Sequence, residues 1–298
     1  MHQTLAIILC GCIMGCATFQ IAPSPPLPEA ERVILPGRGQ LHVVDLNPTA
    51  AQTVLLVHGY GASIASYRPV MPALAEHFRV IAVDLPGFGK SDRREGDYSP
   101  RALADVLAKI LDAKGIRRAD VVGHSWGASV ALAFALHHRD RLEKLVVISG
   151  YFYDEQLVPF FRWAKVPGIG NALYTAFYRE GIGERLYLNF FDPKMVTEKV
   201  VAEVEAQMAL PGAVAAALAA ARGMGFAAYE HTYRTIDAPT LILWGRDDRV
   251  ARLPFGERLA RELPHARLVV FPRCGHIPMW ESTGETTIAL LEFLEARP

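Results

Sequence analysis

The stretch DVVGHSWGASVALAFAL, residues 120–136, decides the fold. Residues 120–124 form a short β-branched run, and from Ser125 to His138 the chain is rich in good helix formers. Between them Gly123-His124-Ser125-Trp126-Gly127 fits G-x-S-x-G, with the strand directly before it and the helix directly after. A serine in so sharp a strand-to-helix turn crowds its neighbours, so glycines are needed two residues before and two after. The helix that follows would aim its first N–H groups and the positive end of its dipole at the serine. An N-capping serine in an ordinary glycine-bounded turn fits the same five letters, but the strand–helix context favours a nucleophile at Ser125.

The alternation continues on both sides. β-branched runs at residues 32–35, 40–46, 53–58, 79–85, 120–124, 144–149, 239–245 and 267–271 are each bounded by turn residues. TVLLV, RVIAV, KLVVI, TLILW and RLVVF are continuously apolar, which predicts strands buried on both faces. Helical spacing appears in LADVLAKIL behind the N-cap and first-turn proline Ser99-Pro100, and in residues 125–138, 255–263 and 286–295. The pattern predicts an α/β fold: a mostly parallel eight-stranded sheet with flanking helices, its first two strands antiparallel around a turn at 36–39. Residues 151–238 break the alternation. They lack a strand signal but carry aromatics at helical intervals and an alanine-rich run at 213–222. This predicts a helical cap inserted between strands six and seven, over the carboxyl edge where ligands of open α/β sheets bind. Its aromatics are expected mainly to pack within the cap.

Hydrophobic residues make up 51% and charged residues 21% of the 298, which excludes wholesale disorder. Lys+Arg and Asp+Glu both count 31, so no electrostatic case exists for nucleic acid as a partner. Four Cys make no disulfide scaffold, and three of them (Cys10, Cys12, Cys16) lie in or beside the apolar run at residues 5–15. That run has the length of a signal-peptide core, and Ile13-Met14-Gly15-Cys16 resembles the bacterial lipoprotein signal, in which the Cys is lipidated. Leu9-Cys10-Gly11-Cys12 fits the same pattern but leaves too short an apolar run before it. Met1-His2-Gln3-Thr4 has no basic residue, so a plain signal or an uncleaved anchor stays open. Pro23-Ser24-Pro25-Pro26-Leu27-Pro28 reads as a stiff tether holding the domain off a surface. The expected organisation is signal 1–15, tether 16–28, core 29–150, cap 151–238 and returning core 239–298, with the protein lipid-anchored in a bacterial cell envelope.

A serine hydroxyl needs a base. Among ten His, His276 in Cys274-Gly275-His276 stands in a loop after the eighth strand, at the same edge as Ser125. His124 should point away from the nucleophile, and His58 should hold a structural hydrogen bond. The base needs an orienting carboxylate, and Trp244-Gly245-Arg246-Asp247-Asp248-Arg249 follows strand seven. Asp248 is preferred to Asp247, the alternative being a solvated pair with Arg246 and Arg249. The order Ser…Asp…His is that of the strand–turn–helix nucleophile enzymes. Oxyanion donors should be the backbone N–H groups of Trp126 and of Tyr60, in His58-Gly59-Tyr60-Gly61 after strand three. Cys274 should be a small packed hydrophobe. No spacing for a metal or phosphate-binding loop appears, so no cofactor is expected.

Together HGYG (58–61), DLPGFGKSD (84–92), GHSWG (123–127), WGRDDRV (244–250) and CGHIPMWE (274–281) resemble a serine α/β-hydrolase with a helical cap, over residues 29–297. In such families the Asp three residues after the glycine of strand seven is usually the acid, which favours Asp248. Relatives include carboxylesterases, lipases and C–C bond hydrolases; Ser125, where epoxide hydrolases and haloalkane dehalogenases carry Asp, argues against those two. HGYG lacks the extra glycines of HGGG-type esterases. The resemblance implies a monomer that cleaves a small or medium apolar ester through an acyl-enzyme. C–C cleavage of a β-diketone-like substrate is the second reading, and a non-catalytic binding protein the third.

Overall fold

The computed structural model describes residues 17–19 and 24–296. Cys16 and the apolar run before it lie outside them. The strands are β1 Arg32–Leu35, β2 Gly39–Leu46, β3 Thr53–Val57, β4 Arg79–Val83, β5 Ala119–His124, β6 Leu142–Ile148, β7 Thr240–Gly245 and β8 Ala266–Phe271. They form one sheet in the order β1-β2-β4-β3-β5-β6-β7-β8. β1–β2 and β2–β4 are antiparallel, and every other neighbouring pair is parallel. The eight expected strands are all present, with ends displaced by a residue or two.

The helices are α1 Met71–His77, α2 Pro100–Ala113, α3 Trp126–His137, α4 Pro159–Ala164, α5 Ile169–Phe177, α6 Ile182–Tyr187, α7 Glu198–Met208, α8 Ala213–Gly223, α9 Leu253–Glu262, α10 Pro278–Glu281 and α11 Thr283–Glu295. α2 starts as its sequence predicts: Ser99 Oγ accepts the Ala102 N–H at 3.3 Å, and Pro100 fills the position where no N–H is needed. α3 is buried along almost its whole length, so it shows no amphipathic stripe. α1 had no signal of its own, because it is short and buries only Leu74.

Alternate residues of each central strand enter separate cores. Leu55 and Val57 pack with α2 and α3 on one face; Val54 and Leu56 pack with α1 and α11 on the other. Full burial on both faces explains why β3 and β7 read as unbroken apolar runs. β8 departs from that expectation. It is the last strand of the sheet, and its residues before Phe271 are only half covered or exposed.

Between β6 and β7 lie α4 to α8 and no strand. Residues 24–28 also differ from expectation. They are extended, but they lie against the core instead of spanning open solvent. Ser24 N–H donates to Asp92 Oδ1 at 3.2 Å, Leu27 N–H to Gln40 Oε1 at 2.9 Å, and Gln40 Nε2 to Pro25 O at 3.1 Å. Phe19 stacks on Tyr98, with ring centroids 6.2 Å apart. A proline-rich segment has few N–H groups of its own, and here the core supplies acceptors for those of Ser24 and Leu27 and a donor for the Pro25 carbonyl.

Candidate active site

The sheet register aligns the strand ends. Val57 pairs with Gly123, His124 with Ile148, and Gly245 with Phe271. The loops holding Tyr60, Ser125, Asp248 and His276 therefore leave the same edge.

Ser125 has φ 53° and ψ −123°, a conformation that costs an L-residue of order 1–3 kcal/mol. The backbone around it holds that strain. Ser125 N–H donates to Ile148 O at 3.0 Å, while its carbonyl accepts from Ala128 N–H at 3.0 Å and Tyr151 N–H at 2.9 Å. The flanking glycines are required by contact. A Cβ on Gly127 would sit 2.4 Å from the carbonyl oxygens of Val57 and His58, and one on Gly123 would sit 2.4 Å from Gly127 O. Gly59 is needed for the same reason, since its Cβ would lie 2.9 Å from Ser125 Cβ.

His276 and Asp248 are both buried, and His276 Nδ1 lies 2.8 Å from Asp248 Oδ2. The other carboxylate oxygen accepts the N–H groups of Val250 and Ala251, both at 2.8 Å, which fixes its plane. Asp247 is bonded to this loop only through its backbone, its N–H donating to Cys274 O at 2.9 Å. Between Ser125 Oγ and His276 Nε2 no hydrogen bond is closed; such bonds often tighten only when substrate arrives.

Tyr60 and Trp126 N–H groups have no acceptor among the described residues, so both can receive a new anion. The Tyr60 ring stands amid Phe88, Trp126, Phe161 and Tyr178, with centroids 5.2 to 6.4 Å away. Its hydroxyl lies 3.1 Å from Ala217 O and 3.2 Å from Tyr174 Oη. Gly61, one residue on, has φ 68°, which glycine adopts freely.

His58 does hold structural bonds. Its Nε2 accepts the Leu85 N–H at 2.9 Å, so the proton is on Nδ1, which donates to Gly59 O at 2.7 Å. Burial lowers its pKa. His124 has a role that its sequence position did not announce. Its ring lies against that of His276, 4.9 Å between centroids, and its Nε2–H donates to His276 O at 2.9 Å. Burial and the adjacent His276 push its pKa down to about 3, so it stays neutral and braces the His276 backbone. Cys274 is a buried hydrophobe whose thiol is pushed up to about 12 by burial.

Sequence reasoning assigned no role to Glu281. Its carboxylate accepts Gly275 N–H at 2.8 Å and Phe191 N–H at 2.6 Å, while His276 N–H donates to Asn189 O at 2.7 Å. The loop of His276 is thus bound to the segment after α6. Burial raises the Glu281 pKa. Among the described residues no group of three or more His, Cys, Asp or Glu could hold a metal ion.

The alpha/beta hydrolase fold family matches residues 52–283. A 2-hydroxy-6-oxononadienedioate/2-hydroxy-6-oxononatrienedioate hydrolase of Paraburkholderia phymatum is 37% identical over 281 residues, covering 88% of this chain and 93% of that protein. The structure of a meta-cleavage product hydrolase, CumD of Pseudomonas fluorescens IP01, is similar with a TM-score of 0.75 and 29% identity over 89% of this chain and 97% of that one. A thermophilic esterase from Thermogutta terrifontis gives a TM-score of 0.72 at 26% identity, over 89% and 98% of the two chains.

Proposed function

Given that the chain belongs to the alpha/beta hydrolase fold family, we propose that it hydrolyses the carbon–carbon bond beside the ketone of a 2-hydroxy-6-oxo-dienoate type of substrate. The observation that carries this reading is the 37% identity to an enzyme named for that chemistry, spanning 93% of its length. The buried His276–Asp248 pair on the edge that bears the strained Ser125 supports it.

Ser125 is the nucleophile, His276 the base and Asp248 the carboxylate that holds the imidazole in the right tautomer. The 2-hydroxy proton of the dienol is lost and C5 gains one, leaving C6 as a ketone beside a saturated carbon. Ser125 Oγ then bonds to C6 as His276 takes its proton. The resulting oxyanion is held by the N–H groups of Tyr60 and Trp126. Collapse breaks the C5–C6 bond; its electron pair enters the 2-oxo-enoate as a dienolate, which is protonated by His276. Water, deprotonated by His276, hydrolyses the acyl-serine, releasing the acid and restoring Ser125.

Cleavage of a small or medium apolar ester uses the same groups, with an alkoxide leaving in place of the carbanion. The aromatic setting of Tyr60 and the likeness to an esterase structure favour this second reading. Purified protein assayed against a dienol diketone and against p-nitrophenyl esters from acetyl to palmitoyl separates the two. A higher kcat/KM for the diketone supports C–C cleavage; ester turnover with the diketone untouched overturns it in favour of the ester reading.

We also propose that Cys16 is lipidated and anchors a monomer to the bacterial cell envelope. Palmitate labelling that is lost in Cys16→Ser supports the anchor, and equal labelling of both proteins overturns it.

A further inference from the structure

Nine large hydrophobic residues are exposed among the described residues, and all but Ile34 and Ile288 lie between β6 and β7. The densest group is on α4 and α5. Trp163 is 55% exposed, Ile169 53% and Phe177 58%, with Val166 also open to solvent. α5 is apolar on both sides. Tyr174 and Tyr178 face inward, buried near Tyr60, whereas Ile169, Leu173 and Phe177, spaced four apart, form a partly open stripe on the flank beside them. A soluble surface rarely gathers a tryptophan, a phenylalanine and two aliphatics without a partner.

Charge and chain path say what that partner is. Residues 157–179 contain Arg162, Lys165 and Arg179 and no Asp or Glu. Exposed Trp and Phe beside basic residues, with no acid among them, is the composition of a surface that lies in the headgroup layer of an anionic bilayer. The N-terminal end of the described chain is linked to this face through a few contacts. Phe19 stacks on Tyr98. Gly223, at the end of α8, packs so tightly on Tyr98 that a Cβ there would lie 2.8 Å from its carbonyl carbon. Adjacent Arg222 donates from Nε to Ala164 O at 3.0 Å and from Nη2 to Asn171 Oδ1 at 2.5 Å. Ala164 directly follows Trp163, and Val166 and Ile169 lie between Ala164 and Asn171 in sequence. A short run of contacts therefore joins the residue three positions after Cys16 to the exposed apolar face, and the apolar run at residues 5–15 precedes it.

We propose that the outer face of α4 and α5 docks on an anionic lipid bilayer, with Trp163, Ile169 and Phe177 entering the interface. Among the described residues no single helix is long and apolar enough to cross a membrane, and the contact proposed is a peripheral one. It also gives α5 two roles, lipid on its open flank and the Tyr60 cluster on its buried one. The inference stands whichever bond the enzyme cleaves.

Trp163 supplies the test, because the other three tryptophans are covered: Trp126 and Trp244 are buried and Trp280 is half-buried with its indole N–H on Ser66 O. The full chain is mixed with phosphatidylcholine–phosphatidylglycerol vesicles whose acyl chains carry bromine near the headgroup. The expected result is quenching of tryptophan emission, most of it lost in Trp163→Phe while that variant still co-sediments with vesicles. Equal quenching in the wild type and Trp163→Phe, or none in vesicle-bound wild type, overturns the proposal. Sedimentation velocity without lipid covers the remaining occupant. A dimer that Ile169→Asp converts to monomer assigns the face to a second copy and overturns the lipid assignment; a wild-type monomer supports it.

Discussion

Glu281 accepts the backbone N–H of Phe191 at 2.6 Å, joining α10 to the segment that follows α6, ninety residues earlier in the chain. The same carboxylate holds Gly275, next to His276. Replacing it leaves two N–H groups of this seam without an acceptor. Glu281→Ala should lose about 2 kcal/mol of stability, within the usual penalty for orphaned polar groups, read as a shift in urea midpoint. It should also lower kcat more than it changes KM, because what is disturbed is the seating of His276. Loss of stability with kcat intact would show that His276 is held independently of this bond.

Ser125 should be replaceable with opposite effects on stability and activity. Ser125→Gly removes the Cβ from a φ of 53° and should stabilise the fold by about 1 kcal/mol. It should abolish turnover and labelling by a fluorophosphonate. Ser125→Ala should also lose about 10⁴-fold or more in kcat, but with no gain in stability. Thermal melts of the two variants beside the wild type check the contrast.

The two neighbouring acids provide a sharp comparison. Asp248→Asn should lower kcat by about 10⁴-fold, because the amide cannot hold the imidazole in the needed tautomer. Asp247→Asn should stay within about threefold of wild type, its bond to the His276 loop being made by the backbone. Steady-state kinetics on either proposed substrate class decides it, and equal losses would reassign the acid.

His124 should make the fold sensitive to acid. Its folded pKa of about 3 lies below the ordinary value near 6.5, so between these limits the unfolded chain holds a proton that the folded chain does not. Stability is therefore full above about pH 6.5 and declines as pH falls toward 3. Buried His58 is lowered too and adds in the same direction. His124→Gln should reduce the slope of stability against pH in this window by about one proton, measured by urea titration at each pH. An unchanged slope would mean that His124 titrates alike in both states.

What the sequence made legible was local. Gly123 announced the turn at Ser125 because the contacts that exclude a Cβ there are with Gly127 and Ala128 of the same turn, whereas Gly127 is excluded by Val57 and His58 of another strand end and was legible only through its spacing from Ser125. The order of Ser125, Asp248 and His276 along the chain followed from which strand each loop closes. The missed features join distant positions. His124 meets His276 across 152 residues, and Tyr60 meets Ala217 across 157; no spacing or periodicity encodes such a pair. The exposure of β8 was hidden for a related reason, since a run of Leu268, Val269 and Val270 reads alike at the centre and the edge of a sheet. Residues 24–28 look the same in composition whether they hang free or lie against Gln40 and Asp92.

Tyr60 offers its backbone N–H toward the strand edge and ties its hydroxyl to Ala217 in α8 and Tyr174 in α5. One residue is thus both a wall of the proposed reaction centre and a rivet through the helical insertion. If those helices swing outward, the rivet pulls on the very loop proposed to cradle the developing negative charge. An open enzyme would then be not merely wet but chemically incompetent, and closing over a substrate would restore reactivity in the same movement.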